Sequence, residues 1–72
     1  MHDYENFRYV TKNGYIELSY HENMVLGFMI ANKGKIVIPY TWVKKMIIKR
    51  LRTKLEGEVE IKTKYGAGYY ID

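Results

Sequence analysis

The chain has 72 residues, with 12 Lys and Arg against 8 Asp and Glu, a net charge of +4 and no cysteine. That length is one small domain, and the missing cysteines exclude disulfides, thiolate metal sites and cysteine nucleophiles. The composition is 47% hydrophobic and 28% charged, which is globular rather than disordered; no apolar run approaches the roughly 18 residues of a membrane span and no signal peptide is visible, so the expected compartment is the cytoplasm.

Phe7 to Leu18 reads as a β-hairpin. The runs Phe7–Val10 and Tyr15–Leu18 flank Thr11-Lys12-Asn13-Gly14, and Asn-Gly supplies the positive φ angles of a tight turn. A helix follows over Tyr20 to Asn32. Ser19 and Glu22 have the spacing of a capping box, and Val25, Leu26, Met29 and Ile30 recur with helical period. Gly34 suits a left-handed stop after it. Lys35–Ile38 is a short β-branched run ended by Pro39 and reads as a strand.

A second helix is expected from Tyr40 or Thr41 to Leu55, with Gly57 ending it. Ile47, Ile48, Leu51 and Leu55 form its core side. Lys45, Lys49, Arg52 and Thr53 lie opposite, with Trp42 and Met46 beside them. Glu58–Lys64 alternates with period two and reads as a strand. Tyr65-Gly66-Ala67-Gly68 is a turn, and Tyr69–Ile71 returns as its partner. The expected fold is α+β: N-terminal strands within 1–18, a helix within 19–33, a strand at 35–38, a helix within 40–56 and a hairpin within 58–72.

The charge is unevenly distributed. From Asn23 to Leu55 there is no acid, and that stretch holds 8 of the 12 basic residues. Such an asymmetry is the footprint of a phosphate-binding surface. A solvated helix would interleave acids four residues from its cations.

A short strand, a basic amphipathic helix and a glycine-tipped hairpin describe a winged helix. A helix of this kind enters the major groove, while the hairpin, or wing, reaches an adjacent groove or the backbone. Glycines at the tip would allow close approach to DNA. Lys49-Arg50-Leu51-Arg52-Thr53-Lys54-Leu55, led by Ile48, resembles the end of the recognition helix in OmpR/PhoB-type winged-helix domains. Ile61 to Tyr70 is similar to that family's wing, Leu18-Ser19 through Glu22 to the opening of its first helix, and Asn32 to Val37 to the segment that follows. The likeness covers nearly the whole chain in the family's order.

The resemblance implies DNA contacts from Trp42, Val43, Met46, Ile47, Lys49, Arg50 and Arg52 on the helix and from Thr63 and Tyr65 on the wing. Lys45 and Lys64 join them as neighbouring cations. Lys and Arg can bond phosphate, an Arg can read guanine, and Met46 can pack on a thymine methyl. Two departures stand out. Only Ile38–Trp42 fills the interval that holds the family's positioning helix, so that helix is missing or reduced to one turn. Tyr65 replaces the wing arginine. The receiver domain has no counterpart in these 72 residues, so phosphorylation of an aspartate in cis is not expected.

The expected function is therefore a DNA-binding transcriptional regulator of the kind a phage or other mobile element encodes. Its partner is double-stranded DNA, bound as a homodimer or in tandem copies. The alternative is a protein-interaction module for RNA polymerase, another regulator or itself, with Trp42, Tyr65, Tyr69 and Tyr70 as aromatic anchors. Among the four, Tyr69 best fits simple packing. An enzyme is not expected, because no nucleophile–base pair has a workable spacing and Gly66-Ala67-Gly68 precedes a strand rather than a helix. His2 and His21 lack a ligand partner at metal spacing, and no cofactor is expected.

Overall fold

A computed structural model describes all 72 residues. Strands β1 (His2–Asp3), β2 (Arg8–Thr11) and β3 (Gly14–Glu17) form an antiparallel sheet in that order. Helix α1 (Tyr20–Ala31) follows, then β4 (Ile38–Pro39), a 3-10 turn over Tyr40–Trp42, and helix α2 (Lys45–Lys54). Strands β5 (Lys62–Lys64) and β6 (Gly68–Tyr70) close the chain as a hairpin, with β4 on the other edge of β6. The fold is thus α+β, as the patterning predicts.

The core lies between the two helices and the C-terminal sheet. Leu26 and Met29 of α1 meet Ile48 and Leu51 of α2, with Leu18, Ile38, Leu55, Ile61, Tyr69 and Ile71 around them. Each such side chain contributes about 1.5–3 kcal/mol by leaving water. The capping box of α1 is complete. The Ser19 hydroxyl accepts from the Glu22 amide at 3.2 Å, and the Glu22 carboxylate accepts from the Ser19 amide at 2.8 Å.

Several boundaries differ from expectation, each for a physical reason. The N-terminal unit has a third strand, because Asn23 of α1 holds the first residues down. Its amide donates to the Tyr4 carbonyl at 3.0 Å, and its oxygen lies 2.7 Å from His2 Nε2. The hairpin turn has Lys12 and Asn13 as its central pair, and Gly14 alone takes a positive φ, +128°.

The strand expected at 35–38 shrinks to Ile38–Pro39. Continuing the register would set Ile36 against Ile71, but the Ile71 carbonyl accepts from the Gly34 amide at 2.9 Å. The strand expected from Glu58 begins only at Lys62. Extending the register would set Glu60 opposite Asp72, two like charges; Asp72 pairs with Lys62 instead.

The second helix starts at Lys45, not at Tyr40. Tyr40 belongs to the C-terminal hairpin: its amide donates to the Ala67 carbonyl at 3.3 Å and its hydroxyl to the Lys64 carbonyl at 3.0 Å. Val43 is extended, at φ −136° and ψ 131°, and packs against the core. A chain tied to the hairpin and then stretched inward cannot run straight into α2. One 3-10 turn therefore stands where the family resembled has its positioning helix.

Candidate nucleic-acid interface

Helix α2 buries Ile48 and Leu51 and half-buries Ile47, which leaves Lys45, Met46, Lys49 and Arg50 exposed. Lys44 is its N-cap, without a side-chain hydrogen bond to the helix, and no acid stands in its first turn. Two lysines thus sit at the positive end of the helix dipole, an arrangement that disfavours the free protein and favours a bound anion. The ion pairs of the chain are Arg8–Asp3, Lys54–Glu22 and Lys62–Asp72. None neutralises Lys44, Lys45, Lys49 or Arg50.

Two hollows flank the exposed ridge of α2. One, of about 610 Å³, runs between the helix and the C-terminal hairpin and brings Lys45, Lys49 and Arg52 together with Thr63 and Tyr65. The other, of about 320 Å³, lies toward α1 and holds Trp42, Met46, Arg50 and Lys44 with His21. Lys64 borders neither; it lines a third hollow with Lys35 and Ile36, on the far side of the hairpin. Tyr65 is 93% exposed at the hairpin tip, where Gly66 takes φ +80° and the Ala67 amide donates to the Lys64 carbonyl. That is a tight turn with Tyr65 at its outermost corner.

Some predicted contact residues have work inside the fold. Arg52 donates from Nε and Nη2 to the Ile61 carbonyl at 3.1 and 2.9 Å, and from Nη2 to the Thr63 hydroxyl at 2.7 Å. Its guanidinium also lies over the Tyr69 ring, 5.6 Å from the centroid, and Tyr69 meets Tyr40 edge-on at 5.1 Å. Arg52 and Thr63 therefore join α2 to the hairpin. Val43 and Ile47 pack against the core.

Trp42 precedes the helix rather than riding on it, and is 68% exposed. Gly68 has a structural reason to be glycine: a Cβ there would collide with the Ile38 carbonyl across β4 and β6. The sequence reading left Lys44 out of the candidate contacts, because a helix begun at Tyr40 hides its position at the N-terminus. Its signal was the acid-free stretch itself.

No cluster of three or more His, Asp and Glu side chains is placed to hold a metal ion, and no helix is long and apolar enough to cross a membrane. No family model, curated protein or solved structure matches the chain.

Proposed function

We propose that the chain is a DNA-binding regulator that lays the outer side of α2 in the major groove and sets its C-terminal hairpin against an adjacent groove or the backbone. One observation carries the reading: Lys44, Lys45, Lys49 and Arg50 share the exposed side of α2, and no acid pairs with them. The sequence likeness to OmpR/PhoB-type domains points the same way. Phosphate bonds from the lysines supply affinity and register. Arg50 and Met46 are the side chains on that ridge with chemistry for reading bases, guanine and the thymine methyl respectively. Arg52 acts indirectly, by fixing the angle between helix and hairpin.

The test is a titration of the chain with duplex DNA at several salt concentrations. With about four phosphates neutralised, log K should fall against log salt with a slope of roughly −4, and Lys49→Ala should flatten it by about one. No binding to duplex DNA at low salt overturns the reading.

A protein-interaction module is the second reading, favoured by the exposure of Trp42 beside Met46 in the hollow toward α1. Aromatic anchors of this kind dominate binding energy at interfaces. It predicts a protein complex abolished by Trp42→Ala and untouched by Lys49→Ala.

A further inference from the structure

Helix α1 has two apolar sides. Leu26 and Met29, with Glu22 and Asn23, are buried on one side. Along the other, Tyr20, Met24 and Phe28 recur four residues apart, which places them one above the next. Phe7 lengthens this stripe at one end, its ring centroid 6.1 Å from that of Tyr20. Tyr4 widens it at the other, where its ring lies so close to Gly27 that a Cβ there would come within 3.0 Å of it. These side chains are each between 40% and 58% exposed.

The patch is also uncharged. Glu22 is the only Asp, Glu, Lys or Arg on α1, and it is buried. A helix on a protein surface ordinarily carries charge on its outer side, and one that is apolar all round is ordinarily covered. Phe7 adds an independent sign. It is the one non-glycine residue with positive φ, +54°, a conformation disfavoured for a bulky side chain. That strain holds its ring beside Tyr20, outside the core.

We propose that this patch is the contact between two copies of the chain, packed α1 against α1 about a two-fold axis. Each copy carries +4, so two copies repel wherever their cations meet, and the patch offers a large face with none. A two-fold contact pairs the patch with itself and needs no electrostatic complement. Area agrees with a reversible contact. At these exposures the side chains leave roughly 450 Å² of apolar surface per copy, so a pair buries about 900 Å², at the low end of specific interfaces. The opposite side of α1 packs on α2, so the contact leaves the basic ridge uncovered and does not depend on the DNA-binding reading.

Sedimentation equilibrium of the full chain, from about 5 to 500 µM, tests it. The mass should rise from 8.6 kDa toward twice that value. Met24→Glu and Phe28→Lys, both at exposed positions, should each weaken association at least about tenfold with an unchanged melting temperature. Amide shifts of the wild-type chain on dilution provide a readout without mutation, and should concentrate on Tyr4, Phe7, Tyr20, Met24 and Phe28. A wild-type chain that stays at 8.6 kDa throughout overturns the proposal. So does association that persists in both charged variants, or a shift map centred on Trp42 or Tyr65.

Discussion

The Lys54 ammonium lies 2.7 Å from the carboxylate of Glu22, which is 1% exposed. The same carboxylate caps α1 through the Ser19 amide, and the same ammonium donates to the Glu17 carbonyl at 3.0 Å. One contact thus joins the end of β3, the start of α1 and the last turn of α2. It also draws a cation out of the basic middle of the chain.

Breaking that pair strands a buried charge. Lys54→Met should destabilise the fold by about 1–2 kcal/mol in chemical denaturation, less than a fully buried pair would lose because Lys54 is partly in water. Lys54→Arg should recover most of it.

Acid should weaken the fold through the same residue. Burial pushes the Glu22 carboxyl up, but the Lys54 ammonium and the Ser19 hydrogen bonds outweigh it and hold the group below its ordinary value of 4.5. A carboxyl depressed in the folded state contributes stability that is complete above the unfolded value. That contribution is lost as pH falls through the folded value. Urea midpoints should therefore be flat near neutral pH and fall below about pH 4.5, and Glu22→Gln should shrink the fall.

Gly68→Ala should cost about 2–4 kcal/mol, because the atom its Cβ meets is backbone in a paired strand and cannot swing aside. The loss should appear as a lower melting temperature. Gly66→Ala, at an open position where only the positive φ opposes a side chain, should cost about 1 kcal/mol.

Two basic residues one turn apart should behave oppositely. Arg52→Ala removes the bonds to Ile61 and Thr63 and should cost about 1.5–3 kcal/mol of stability. Lys cannot reproduce the planar fork, so Arg52→Lys should recover little. Lys49→Ala should leave the melting temperature nearly unchanged, while on the proposed DNA-binding reading it weakens binding to duplex DNA and flattens its salt dependence.

Trp42 is the only tryptophan, so fluorescence reports on its site alone. At 68% exposure the free chain should emit as a water-exposed indole and be readily quenched by acrylamide. Duplex DNA should shift the emission and protect it if the hollow beside Arg50 faces the duplex. Protection should vanish at high salt.

Local signals carried most of the secondary structure. Ser19 and Glu22 set the start of α1, because a capping box needs only neighbours in sequence. Gly34 and Gly57 take left-handed φ angles of +67° and +84° two residues beyond the C-caps Asn32 and Leu55, as expected of glycines after a helix, since ease of adopting left-handed backbone is a property of the residue itself. The apolar period of α2 identified Ile48, Leu51 and Leu55 as core, and its complement as the exposed basic ridge.

What the sequence determined by itself is therefore the α+β order of elements, the side α2 buries and the uneven charge. These depend on periodicity and on residues a few positions apart. Tertiary structure alone decided which cations are free. Lys54 meets Glu22 across 32 positions, and Arg52 meets Ile61 and Thr63 across the loop between α2 and β5. It also decided that Tyr40 joins the hairpin rather than α2, and that α1 keeps an apolar side facing out. Pairings of that kind depend on where the sheet brings distant chain segments, and no local period encodes them.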